Sequence, residues 1–126
     1  MKISHIGIIV TDIVQSIKLY NKMGYTTTPE IEFDYIQNNK VAIMKSDILP
    51  SIELIEPASE KSSVAHFKKG YHHICYEAEK GENIIQNFKD MKIGKIFTPP
   101  IVAPALDNRK VVFACLQNGT FIEFIL

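Results

Sequence analysis

Short apolar strands and amphipathic stretches alternate along the chain, and the alternation runs through twice. The first apolar run covers residues 3–10. Behind it Ile13, Ile17 and Tyr20 recur at helical spacing and predict a helix over about 12–23. Thr11 or Asp12 can cap its start, and Gly24 suits the left-handed position after its end. A strand around 31–37 leads to the polar turn "QNNK", and strand 40–45 pairs with 51–56 across "SDILP". Residues 58–70, rich in Ser and Lys, read as a linker with a helical turn around Val64–Phe67. The order then recurs: strand 71–78, a helix over about 82–92 carrying Ile84, Ile85, Phe88 and Met91, a Pro-rich loop, strand 110–116, the turn "QNG", and strand 120–126.

The two passes align residue by residue. Setting 5–25 over 73–93 places His5 on His73, and setting 40–57 over 110–126 places Lys40-Val41 on Lys110-Val111 and Glu53 on Glu123. Each pass reads β-α-β-β-β, over about 1–57 and 71–126. Halves of this size are marginal alone, so the expectation is one domain spanning 1–126. Its class is α+β: two tandem βαβββ modules forming a curved, mixed, mostly antiparallel sheet with both helices on the outer face.

Strand parity turns the repeat into chemistry. His5, Gly7 and Ile9 share a strand face, as do Phe121, Glu123 and Ile125, while Ile122, Phe124 and Leu126 are left to pack under a helix. Glu53 stands opposite to Ile52 and Leu54. A carboxylate set mid-strand between apolar residues is costly to bury unless it is paired or binds a metal, and both halves make that choice at the same place. Pseudo-twofold symmetry would bring His5, Glu53, His73 and Glu123 to one point. Two imidazoles and two carboxylates are a donor set for a first-row divalent ion, with positions left for substrate oxygens. His72 is out of phase with His73 in the repeat and is expected either as an outer partner behind a metal ligand or on the other face. His66, in the linker, reads as a solvated surface residue. Phe33, Tyr35 and Met44 are candidates to line the cavity. The loop "PPIVAPALDNRKVVF" could overhang the sheet, with Arg109 gripping a substrate anion and Asn108 hydrogen-bonding it.

Composition narrows the function classes. Fourteen basic and 14 acidic residues give zero formal charge, which argues against a nucleic-acid or membrane-surface binder. No apolar run approaches the roughly 18 residues of a membrane helix. Cys75 and Cys115 lie in apolar, strand-like runs outside any CxxC pair and read as buried thiols of a reducing cytoplasm, the expected location.

With those residues in place, the chain resembles the vicinal oxygen chelate (VOC) superfamily, built from paired βαβββ modules. "HIGIIVTDIVQSIKLYNKMGY", "IELIEPASEKSSVAHF", "HHICYE" and "KVVFACLQNGTFIEF" look like the corresponding segments of methylmalonyl-CoA epimerases and bacterial glyoxalase-like proteins. The resemblance implies metal ligation by His5, Glu53, His73 and Glu123, with one divalent ion: Zn, Ni, Co or Mn. It implies an isomerase or lyase that removes a proton next to a carbonyl or thioester, with Glu123 the first choice for moving protons and Glu53 the second. It also implies a small-molecule thioester or 2-oxo-aldehyde adduct as substrate, and a homodimer. Two departures stand out. Methylmalonyl-CoA epimerases carry an acid at the end of the third strand, but Ile36, Gln37, Asn38 and Asn39 are not acids and Asp34 fits the spacing poorly. Short glyoxalase I chains show Asp-Pro-Asp-Gly before the last strand, where this chain has "LQNGT". The other classes on the same scaffold are a metal-free, drug-sequestering binding protein and a metal-dependent dioxygenase or thiol transferase.

Overall fold

The computed structural model describes residues 1–26 and 29–126. Among them, nine strands form one mixed sheet, curved until it is nearly barrel-shaped, with two helices on its convex side. In chain order the elements are β1 (Lys2–Ile9), α1 (Ile13–Lys22), β2 (Glu32–Asp34), β3 (Asn39–Met44), β4 (Ile52–Pro57), β5 (Gly70–Glu77), α2 (Ile84–Met91), β6 (Gly94–Ile96), β7 (Ile101–Ala103), a 3-10 turn (Pro104–Leu106), β8 (Arg109–Leu116) and β9 (Phe121–Ile125). The strand order is β2-β3-β4-β1-β5-β9-β8-β6, with β7 also paired to β8.

Register shows the repeat in three dimensions. Antiparallel β1 and β5 form the centre, and β4 and β9 flank them in parallel. Ile6 opposes Ile74, with Gly7 opposite His73 on one side and His5 opposite Cys75 on the other. A local twofold through the Ile6–Ile74 pair therefore exchanges His5 with His73 and Gly7 with Cys75. The outer pairings obey it too: Glu53 lies beside Gly7, and Glu123 beside Cys75.

Local chemistry sets the helices. The Asp12 side chain accepts from the Gln15 backbone N–H at 3.0 Å and starts α1, and Glu56 Oε1 takes the Ile13 N–H at 3.0 Å. Gly24, at φ +112°, lets the chain leave α1. Asn83 caps α2 in the same way, at 3.1 Å from the Gln86 N–H. Below α1 lie Ile13, Tyr25, Ala42, Met44 and Leu54; below α2 lie Ile84, Phe88, Val112, Ala114, Ile122 and Phe124. The opposite parity lines the concave face: Ile9, Val41 and Ile55 in one half, Val111, Phe113 and Ile125 in the other. This separation leaves the concave face free to hold a site.

Four expectations need correction. The strand placed at 31–37 is only Glu32–Asp34, because Asp34 Oδ1 accepts from the Ile36 and Gln37 N–H groups and turns the chain. The Pro-rich loop contains β6 and β7, both paired to β8. Leu126 lies past the last pairing and is half exposed rather than tucked under a helix. Of the proposed cavity residues, Met44 is fully buried beneath α1 and Tyr35 stands in solvent. His66 is exposed, as expected.

Candidate metal centre

The concave face gathers all four of the charged or imidazole residues singled out by the repeat. His5 and His73 are 1 % exposed, Glu123 is 2 % and Glu53 is 8 %. Glu123 Oε2 lies 3.2 Å from His5 Nε2 and 3.1 Å from His73 Nε2. The two Nε2 atoms are 3.4 Å apart, and Glu53 Oε2 is 3.7 Å from His5 Nε2. Ligands held about 2.1 Å from a common ion stand about 3.0 Å apart in an octahedron and about 3.4 Å apart in a tetrahedron. The spacings among His5, His73 and Glu123 therefore match the edges of a coordination polyhedron, and Glu53 lies just beyond them. His5, His73 and Glu123 form a compact group that could hold a metal, with Glu53 beside it.

The rings are aimed by a device that strand parity does not foresee. The β1–β5 register slips twice. Ser4 is the extra residue between the Ile3–Tyr76 and His5–Cys75 pairs, and His72 is the extra residue between the Gly7–His73 and Ile8–Tyr71 pairs. The local twofold relates these two β-bulges. A bulge re-aims the side chains around it. Each bulged residue turns back onto the Nδ1 of the histidine that follows: Ser4 Oγ is 3.2 Å from His5 Nδ1, and His72 Nδ1 is 2.9 Å from His73 Nδ1. Occupying Nδ1 leaves Nε2 to face the centre, the arrangement that outer partners impose on metal-binding imidazoles. Of its two expected places His72 thus takes the one behind a ligand histidine, and it lines the same cavity as His73, Glu53 and Glu123. The sequence signal was the matched pair Ser4-His5 and His72-His73.

Close approach adds a further constraint. A Cβ on Gly7 would lie 2.2 Å from His73 Cε1 and 2.4 Å from its Nδ1. Only a glycine at this position leaves room for the His73 ring.

Electrostatics separate the two glutamates. Burial alone would raise both carboxyls. For Glu123 the hydrogen bonds from His5 and His73 overcome it and hold the carboxyl well below the usual carboxylate range. For Glu53 burial wins over the attraction of His5, and its carboxyl is raised. Burial also pushes His5 down, but the Glu123 hydrogen bond and both carboxylates outweigh it and raise the imidazole. Burial and the neighbouring His73 push His72 down to about 4, so it is neutral at physiological pH.

The remaining expected residues are distributed unevenly. Asp34, discounted on spacing, is buried on β2 and lines the cavity with Glu53 and Glu123. Its oxygens are engaged by the Ile36 and Gln37 N–H groups and by Gln37 Nε2 at 3.1 Å. Arg109 pairs with Glu77 and lines a second cavity of about 390 Å³ that opens on His5. Asn108 is exposed, in a left-handed turn with Asp107, and lines neither of these cavities.

The chain belongs to the Glyoxalase/Bleomycin resistance protein/Dioxygenase superfamily, whose family model matches residues 4–113. Among solved structures it is similar to a hypothetical protein from Bacillus halodurans C-125 (27 % identity over 98 % of this chain and 92 % of the other, TM-score 0.81). It is also similar in fold to methylmalonyl-CoA epimerase from Mycobacterium tuberculosis (18 % identity, 98 % and 85 % covered, TM-score 0.78). A Streptomyces coelicolor methylmalonyl-CoA epimerase variant in complex with 2-nitronate-propionyl-CoA matches in the same way (19 % identity, 99 % and 96 % covered, TM-score 0.77). No curated protein matches the chain significantly. Among the described residues, no helix is long and apolar enough to cross a membrane.

Proposed function

We propose that the protein is a metal-dependent isomerase or lyase that moves a proton on the carbon next to a carbonyl or thioester. The observation that carries this reading is the compact buried group of His5, His73 and Glu123 at 3.1–3.4 Å spacings, with Glu53 3.7 Å from His5 beside it. His5, His73, Glu123 and Glu53 would hold one divalent ion: Zn, Ni, Co or Mn. When bound, that ion supplies Lewis acidity that polarises a carbonyl oxygen and stabilises the charge left by proton removal.

The protein's own groups divide the remaining work. Glu123, acidified by two imidazoles, is the fixed carboxylate ligand. Glu53, which stands beside the compact His5, His73 and Glu123 group and not within it, is the better placed to take a proton from carbon and return it. This reverses the order suggested by the sequence, in which Glu123 came first. Ser4 and His72 hold the imidazoles, and the Ile9, Val41 and Ile55 wall excludes water. Arg109, at the mouth that opens on His5, would take an anionic group of the substrate. Return of the proton to the same carbon is epimerisation, and return to its neighbour is a glyoxalase-type isomerisation. Asp34 lines the cavity, which favours a two-base epimerase; its carboxylate is already engaged by three donors in its own turn, which favours a single base at Glu53.

The test is metal analysis of the purified protein together with solvent-deuterium exchange into methylmalonyl-CoA and a methylglyoxal–thiol adduct. The reading expects exchange that needs the ion and is lost in Glu53→Gln while the ion is retained. Exchange that proceeds without an ion would refute it.

A further inference from the structure

The local twofold that relates the two modules also relates two cavities beside the candidate centre, and their linings differ. At three matched positions the first module carries Ser4, Ile43 and Ser51, and the second carries His72, Phe113 and Phe121. The first set lines the cavity that opens on His5, together with Lys2, Lys45 and Arg109. The second set lines a cleft of about 320 Å³ with Ile36, Phe67, Phe97 and Ile101. Among the described residues, that cleft has no Asp, Glu, Lys or Arg in its lining.

The cleft is continuous with the candidate metal centre. Gln37, Val64, His72 and Phe113 line both it and the cavity that holds Glu53, His73 and Glu123. Its rings form a continuous run of contacts, edge-to-face except for the tilted Phe97–Phe113 pair. Phe67 meets Phe121 at 5.3 Å between centroids, Phe121 meets Phe97 at 5.7 Å, Phe97 meets Phe113 at 6.4 Å, and Phe113 reaches His73 at 5.5 Å. His72 stacks on Phe121 at 5.7 Å, closing the inner end. Volumes from about 300 Å³ upward suit small organic ligands, and ring-lined walls favour another aromatic ring by offset or edge contacts. A phosphate or carboxylate would find no cation here, whereas the twofold-related cavity is lined by Lys2, Lys45 and Arg109 together with Glu77 and Asp107.

We infer that this cleft binds an uncharged aromatic arm of the substrate, whose carbonyl then reaches the four-donor centre. The inference rests on the metal-dependent reading above and adds the substrate class: an aryl-substituted carbonyl compound. The occupant is part of the substrate and not a second copy of the chain, because the cleft leads inward to His73 and does not end on a flat surface.

The experiment is titration of the Ni²⁺-loaded protein with phenylpyruvate and pyruvate, which share their chelating end and differ by the ring. Phenylacetamide, which has the ring and no chelating end, is followed in parallel by ligand-observed NMR. Phenylpyruvate is expected to bind at least about tenfold more tightly than pyruvate, the scale for burying a phenyl group. Phe67→Ala and Phe97→Ala truncate partly exposed rings of the cleft and should bring the ratio of phenylpyruvate to pyruvate affinity towards one. Phenylpyruvate binding no more tightly than pyruvate, with both needing Ni²⁺, overturns the inference and spares the metal reading. Phenylacetamide binding that is lost in Phe97→Ala, with no effect of Ni²⁺ on either oxo acid, keeps the cleft and overturns the metal reading. Variants that change only the oligomeric state, with no ring preference, overturn the inference in favour of a second copy.

Discussion

Gly7→Ala isolates the close approach on which the candidate centre depends. Carbon atoms are in comfortable contact at about 3.5–4.0 Å, so a Cβ 2.2 Å from His73 Cε1 intrudes by about 1.3 Å or more. Gly7 pairs with Glu53 and His73 at the edge of the β5 bulge, and its backbone is not in the left-handed region, so alanine is compatible with the β1 backbone. The strain falls on the imidazole. Overpacking of this kind costs about 1–3 kcal/mol of stability. Metal–ligand distances tolerate only about 0.2 Å, so a ring displaced by over 1 Å no longer serves as a ligand. The expected result is a folded protein whose Ni²⁺ affinity falls by more than about 100-fold, beyond the 10–100-fold typical of losing an outer partner. Cys75→Ala is the control: Cys75 is the twofold mate of Gly7, and truncating it brings nothing towards His5. The assay is competition titration with a chromophoric chelator, alongside urea unfolding of the metal-free protein. Wild-type affinity in Gly7→Ala would refute the argument that His73 is held where a ligand must be.

The bulged residues make a second test: His72→Ala and Ser4→Ala each free one Nδ1 and should weaken Ni²⁺ binding by about 10–100-fold, and unchanged affinity would show that the imidazoles need no outer partner. Phe124→Ala, at a side chain 2 % exposed beneath α2, should cost about 3–5 kcal/mol in urea unfolding. Hydrogen bonding from Arg109 depresses the Glu77 carboxyl, so this pair contributes stability above the ordinary carboxylate range and loses it as pH falls through the depressed value. Solvent screening at the exposed Arg109 keeps that contribution below about 1 kcal/mol. Thermal midpoints of wild type and Glu77→Gln should therefore differ at neutral pH and converge in acid; a gap that grows in acid would contradict the sign.

Most of the scaffold was legible because the information repeats. Ile13, Ile17 and Tyr20 mark one helix and Ile84 and Phe88 the other, each with an Asx cap in front. The paired His-Ile and Lys-Val openings supplied a register between modules that strand parity alone does not contain. That register brought His5, Glu53, His73 and Glu123 together without any long-range contact being known. What stayed hidden was local and geometric. A bulge inserts a residue without a composition signal of its own, so alternation could not decide between an outer partner of His73 and the far face for His72. Asp34 looked misplaced because β2 ends early, and it ends early because Asp34 itself caps the turn. Strands as short as β6 and β7 carry too few residues for a period-two pattern, and Pro99, Pro100 and Pro104 around them read as loop. Leu126 keeps the right parity but lies beyond the last paired residue of β9.

The central claim is that four side chains from both modules hold one divalent ion. Calorimetric titration of the metal-free protein with Ni²⁺ tests it most directly, with His5→Ala, His73→Ala, Glu53→Gln and Glu123→Gln measured in the same way. The account predicts one ion per chain and a loss of more than about 100-fold in affinity in His5→Ala, His73→Ala and Glu123→Gln, with a smaller loss in Glu53→Gln, the more distant donor. An absence of binding, or binding that survives Glu123→Gln undiminished, would contradict it.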